Sequence, residues 1–259
     1  MRATARVVVE RGADGRSVVR ELRSQAPLAL LPQRGAAATA SPVATVHLVG
    51  SATSPLGGDD VLLDVEVGPG ADLVLTGVAA TLALPGQAGR PSRLVVRLTV
   101  GDGGGLQFLP EPTVVTQRAD HRGELHAELG EGARLRCREV LVAGRSGEPS
   151  GRFHGLVRVT DGARPLLVQE QELGDHGLMA SAAHLAGRRV LGTEVLVWGE
   201  DPAAAVAGEW WSLTPLAGRG GLATAVGDDA ISTQRALAEA VAAHPGWSAG
   251  VLGSTAAVR

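Results

Sequence analysis

The chain has 259 residues, is 44% apolar and only 2% aromatic, contains no tyrosine and carries a formal charge of −3. That length can bury a sizeable core, while the scarcity of aromatics removes the stacking platforms used for sugars and single-stranded nucleic acid, and the slight negative charge argues against a nucleic-acid partner. All 24 basic residues are arginine, and the single cysteine, Cys137, excludes an internal disulfide and a thiolate metal cage.

The N-terminal run Val7-Val8-Val9 is followed at once by Glu10-Arg11, unlike a signal peptide, and no apolar run approaches the ~20 residues of a spanning helix. A cytoplasmic protein without membrane contact is expected. Thr4 to Val9 and Ser17 to Leu22 read as two strands joined by the hairpin signal Gly12-Ala13-Asp14-Gly15. Gln33 to Ser41, rich in Ala and Gly, reads as a flexible loop. A strand follows at Val43 to Val49. Val61, Leu63, Val65 and Val67 alternate with Leu62, Asp64 and Glu66, the period-2 mark of another. Further strands are expected at 73–75, 78–84, 94–100, 106–109, 113–117, 125–129, 135–142, 153–159 and 166–173. Asp201-Pro202 reads as the start of a helix over 203–208. A second helix is expected from Asp228 or Asp229 to Ala243, with Ile231, Ala238 and Val241 on its apolar face, stopped by His244-Pro245-Gly246.

A strand-turn-strand pattern recurs about every thirty residues. Its copies centre on Gly70, Gly103, Gly132 and Gly162, as in Val65-Glu66-Val67-Gly68-Pro69-Gly70-Ala71. Repeats of this size bury their faces against one another. The expected fold is mainly β: a β-helix-like stack of strands with a few helices in the C-terminal third. It forms a single domain over 1–259, with a helical supplement at about 200–244.

Asp59, Asp60, Asp64 and Glu66 form an acidic cluster, and the last three share a strand face. They suit a cationic partner surface or a stop for a divalent ion. Arg134, Arg136 and Arg138 share one face of a later strand. Leu135, Cys137 and Leu141 take the other, and Glu139 falls among them, so that its carboxylate needs a partner or is held protonated. Arg145 is the nearest candidate in sequence. The seven histidines are scattered; His121 and His126, five apart, point to opposite faces of a strand. No nucleophile elbow, Walker sequence or dinucleotide fingerprint is present.

Three stretches carry a family resemblance. Gly58-Asp59-Asp60-Val61-Leu62-Leu63-Asp64-Val65-Glu66-Val67-Gly68-Pro69-Gly70-Ala71, Leu106-Gln107-Phe108-Leu109-Pro110-Glu111-Pro112-Thr113 and Arg138-Glu139-Val140-Leu141-Val142-Ala143-Gly144-Arg145, the last followed by Gly151-Arg152-Phe153, resemble in order and spacing the urease accessory protein UreD (UreH) family. The chain departs from that pattern at Thr81-Leu82-Ala83-Leu84, which lacks a lysine and an aromatic, and at Phe108, where the family has tryptophan. The resemblance implies a non-enzymatic maturation factor that binds UreF, through it UreG, and apo-urease, and helps nickel reach the urease active site, with an internal tunnel as the nickel route. It implies no tightly bound cofactor. Asp59, Asp60, Asp64, Glu66 and Glu139 become candidates for a transient nickel path or partner contact. Gly68, Gly70, Pro110, Pro112, Gly144 and Arg145 become structural motif residues. The rivals are a polysaccharide-cleaving β-helix enzyme, against which the aromatic content speaks, and a metal-independent binding module of the same architecture.

Overall fold

The computed structural model describes residues 1–86 and 89–247. In chain order, the N-terminal elements are β1 (Arg2–Arg11), β2 (Ser17–Arg23), β3 (Leu28–Pro32), α1 (Ala36–Ala40) and β4 (Ala44–Gly50). Next come β5 (Asp60–Val67), β6 (Asp72–Gly77), β7 (Thr81–Ala83), β8 (Ser92–Val100), β9 (Gly105–Leu109), β10 (Thr113–Val115), β11 (Asp120–Leu129), β12 (Arg134–Ala143), β13 (Arg152–Asp161) and β14 (Arg164–Leu173). The C-terminal elements are α2 (His176–Ala180), α3 (Ala182–Leu185), β15 (Val190–Val197), β16 (Val206–Ala207), β17 (Trp211–Pro215), β18 (Gly221–Gly227) and α4 (Ala230–Ala242).

Among the described residues the strands form two sheets. The first has the order β14-β13-β11-β8-β5-β1-β2, and the second runs β16-β17-β18-β15-β12-β9-β6-β4-β3, with β10 and β7 as a short flank beside β12. The chain alternates between them: β5, β8, β11 and β13 run parallel in the first sheet, β6, β9 and β12 parallel in the second. This is a β-solenoid. Its core lies between the sheets, where the alternating Val61, Leu63, Val65 and Val67 of β5 are all buried.

The glycine corners explain the repeat. Gly68, Gly101 and Gly130 each donate a backbone hydrogen bond to the last residues of the first-sheet strand one coil earlier, reaching Val9, Val67 and Val100 at 2.7–2.8 Å. A Cβ on Gly101 would lie 2.8 Å from Pro69 N, and one on Gly130 2.8 Å from Asp102 N, so only glycine lets the coils approach this closely. Two residues on, Gly70, Gly103 and Gly132 adopt φ near +60°, the left-handed region closed to β-branched residues.

The fourth copy behaves differently. Gly162 also has positive φ, but it closes a hairpin, and β14 runs back antiparallel beside β13 in the same sheet. The parallel register also runs two residues further here: Leu129 pairs with Asp161, Gly162 donates to Leu129 O at 2.9 Å as Gly130 does to Val100 O, and Thr160 lies within β13 opposite Glu128.

Several other expectations are corrected. Residues 203–208 form no helix: Asp201 Oδ1 instead accepts from Gly220 N at 2.7 Å, and Gly208 N donates to Trp211 O in the turn that pairs β16 with β17. The Ala/Gly stretch expected to be a loop contains α1. β3, β15, β17 and β18 are additional strands, and residues 78–80 lie outside β7. The expected C-terminal helix is α4, capped by Asp229, whose side chain accepts from Ser232 N. Its buried residues are Thr233, Leu237, Ala240 and Val241, while Ile231 is exposed. It lies across the outer face of β15, β17 and β18, where Ala223, Ala225 and Leu213 form the floor.

Candidate functional site

A partly open cavity of about 140 Å³ lies between the sheets, enough for several waters. Its origin is a break repeated in successive coils. β4 ends at Gly50, β6 at Gly77 and β9 at Leu109, and the segments that follow leave the second sheet at the same level; Ser54, Pro55, Ala79, Pro110 and Glu111 all line the cavity. In the third coil the break is written in the sequence: Pro110 and Pro112 have no N–H to extend a ladder. Pairing resumes only when β10 meets the end of β12. β12 is therefore bonded to β9 over 134–137 and to β10 over 141–143, and residues 138–140 face the gap. Arg138 spans it, donating from Nη2 to Pro110 O at 3.1 Å with Glu111 Oε1 at 3.7 Å. Gly77 is required because a Cβ there would meet Glu111 N at 2.5 Å.

Glu139 points inward at this gap. The walls are mostly apolar, with Leu63, Val96, Phe108, Leu125 and Val140 among them. Gly123 on the opposite sheet leaves room: a Cβ there would lie 3.2 Å from the Phe153 ring and 3.9 Å from Glu139 Oε1. Glu139 Oε2 is buried without a hydrogen-bond partner. Burial pushes the carboxyl up to about 7, as expected when a charge loses water and gains no counterion. At neutral pH the group stands between its neutral and charged forms. Arg145 is not its partner; it grips Glu148 in a two-pronged pair at 2.9 and 3.0 Å on the surface. Arg145 follows the Gly144 turn, whose φ is +75°, and so projects away from the β12 inner face.

The other acids lie elsewhere. Asp59 is buried and accepts from Ser54 Oγ, Leu56 N and the Met1 amino group, each at 2.9 Å. Burial opposes its ionisation, but these bonds outweigh it and hold the carboxyl below the usual range. Asp60, Asp64 and Glu66 share the outer face of the first sheet. There the parallel register sets them beside arginines: Arg2 and Arg93 lie 3.8 Å from Asp60, and Arg6 bonds both Asp64 and Glu66, the latter at 2.6 Å. The structure thus separates Glu139 from the acidic row by the thickness of a sheet.

His121 is buried against Ser92 Oγ at 2.8 Å, and burial lowers it to about 4; His126 lies on the opposite face beside Glu124. Cys137 is buried two residues before Glu139 on β12, and burial, then the charges of Glu139 and Glu194, push its thiol up, so it offers no thiolate. Among the described residues no group of three or more His, Cys, Asp or Glu side chains converges as a metal cage. Glu111, Gly77 and Gly123 were not singled out from sequence, and Arg138 was read only as one of three arginines sharing a strand face. Only the prolines flanking Glu111 signalled its place at the break.

A family model described as UreD urease accessory protein matches residues 1–259. The chain is 57% identical over 245 residues to "Urease accessory protein UreD 1" of Saccharopolyspora erythraea, covering 95% of this chain and 96% of that protein. It is 44% identical over 273 residues to "Urease accessory protein UreD" of Frankia alni, covering 92% and 91%. It is 39% identical over 248 residues to the protein of that name from Streptomyces coelicolor, covering 93% and 96%.

Proposed function

Because this chain belongs to the UreD urease accessory protein family, a family of non-catalytic urease maturation factors, we propose that it holds apo-urease and the accessory partners UreF and, through UreF, UreG, while nickel passes through its inter-sheet cavity. Nickel is cargo here, not a resident cofactor. The observation that carries this reading is Glu139: a buried carboxyl with an unpartnered oxygen, at the point where three coils leave the sheet together. A lone carboxylate in an apolar-walled cavity suits transit, since one oxygen donor binds a divalent ion weakly and releases it. A converging cage would retain it. Cavity residues Glu111 and Arg138 stand at the same break and set its charge.

In this reading Asp60, Asp64 and Glu66 belong to a partner-facing surface and not to the passage, because Arg2, Arg6 and Arg93 already neutralise them. Asp59 fastens the start of β5. The place of action is the cytoplasm, where urease assembles. No described helix is long and apolar enough to cross a membrane.

The test is co-expression of urease with the accessory partners, with and without this chain. The reading requires co-purification with apo-urease or UreF and a large drop in urease activity when the chain is omitted. Equal activity without it would remove the role.

A further inference from the structure

The two sheets end unevenly. The first stops at β14, whereas the second continues beyond β15 through β18, β17 and β16. Gln171 of β14 donates to Thr193 Oγ1 of β15 at 3.5 Å, so β14 lies over β15. Among the described residues, no first-sheet strand lies over β18 and β17. The cross-strand register puts Thr193, Thr224 and Ser212 in one row on that inner face, opposite to the face bearing Ala223, Ala225 and Leu213 that α4 covers. Thr224 and Ser212 are half-buried and Thr214 is exposed. The result is a shelf about two strand spacings, ~10 Å, wide.

Along the shelf runs the edge of β14. No backbone hydrogen bond reaches β14 from any described element except β13. Among the described edge strands, β16 has two residues, β7 three, β3 five, β2 seven and β14 ten. Long bare edges are usually blunted. Here a bulge and Pro165 blunt only the beginning, and Leu167 to Leu173 pair regularly with β13. The slot is bounded at one end by α2 and α3, whose Met179 and Leu185 pack near Leu173 and Val226, and at the other by Gly218 against Leu166.

We propose that β14 is a strand-addition site, where an extended segment of a partner protein pairs with Leu167–Leu173 and covers the row of hydroxyls. The proposal rests on the scaffold reading above and names where, and by what kind of segment, a partner is held. The charges select the occupant. Val168, Glu170 and Glu172 are exposed on the outer side of the edge, and Glu170 has no ion pair among the described residues, while Glu172 has only His154 at 3.6 Å. An incoming strand therefore places basic side chains outward, and small or β-branched ones inward against Thr224 and Ser212. Main-chain bonds supply affinity and the alternating side chains supply specificity. The bounded slot takes one or two strands, not the whole sheet that a second copy of this chain would bring.

The experiment is amide hydrogen exchange on the full chain, alone and saturated with apo-urease or with UreF, in preparations whose urease activation is also measured. One of the two complexes should slow the β14 amides over 167–173 at least about tenfold. The Glu170→Arg/Glu172→Arg variant should fold normally by circular dichroism and weaken that complex by about tenfold. The proposal is overturned if activation proceeds while β14 exchanges as in the free chain, or if charge reversal leaves affinity unchanged. Protection that appears in the chain alone as its concentration rises also overturns it, by identifying a second copy as occupant. A wild-type chain that fails to activate urease would instead remove the maturation reading on which the partner rests.

Discussion

From β5 to β11 the long strands are held by the coil before and the coil after, and the coils meet at glycines whose missing side chains set the spacing. From β15 to α4 the strands pair antiparallel with near neighbours in sequence, and the layer is closed by side chains of a helix, Leu237, Ala240 and Val241, on a floor of alanines. Closeness of backbone limits the first region, and filling of space limits the second. Damage should therefore follow different rules in the two.

The largest effect is expected where backbone meets backbone. Gly130→Val or Gly101→Val should cost about 3 kcal/mol or more, read by urea denaturation. Gly132→Val should cost less, about 1–2 kcal/mol, because its Cβ meets nothing within 4 Å and only φ opposes it. Equal losses at 130 and 132 would erase the distinction between close approach and turn conformation. Leu237→Ala should cost about 2–4 kcal/mol, with faster amide exchange in β15, β17 and β18 and little change in β5 and β8. Uniform acceleration throughout would show that the two regions do not respond separately.

The cavity supplies a pH test. Glu139 titrates near 7 in the fold against 4.5 when exposed. The folded chain thus holds the extra proton in that window, and stability falls as pH rises through it. His121 runs the other way: it titrates near 4 in the fold against 6.5, so the unfolded chain binds the proton first and stability falls as pH drops below 6.5. Glu139→Gln should be more stable than the parent by roughly 3 kcal/mol above pH 7, with the gain gone by pH 4.5. A pH-independent difference would contradict the buried, unpaired carboxyl. The smallest effect belongs to the outer face: alanine at Asp60, Asp64 and Glu66 together should cost about 1 kcal/mol or less in thermal melts.

The coiled region was legible because its signals are local. Alternating valines and Gly-x-Gly corners set strand, turn and period within a few residues, and the inward placement of Glu139 followed from alternation along one strand. The fourth copy carries Thr160 where the repeat has its first glycine, but that β13 runs two residues longer and Gly162 takes the corner depends on register between coils. β15 was missed because it is buried on both faces and interrupted by Gly192, so it shows no alternation. At the site, Pro110 and Pro112 announced a break. Yet that three breaks stack, and that Glu139 faces them without Arg145, depends on register across β9, β10 and β12, which spacing along the chain does not encode. The acidic row was read correctly as one face, but its arginine partners come from strands 33 to 60 residues away in the chain, such as Arg93 beside Asp60 and Arg6 beside Asp64.

The most direct measurement is the nickel content of urease matured at limiting nickel by Glu139→Gln, with the complex isolated intact. The account predicts a more stable protein that still binds its partners but delivers markedly less nickel per urease, since the side chain has lost its charge and kept its shape. Undiminished nickel content in that intact complex would contradict passage along the Glu139 cavity.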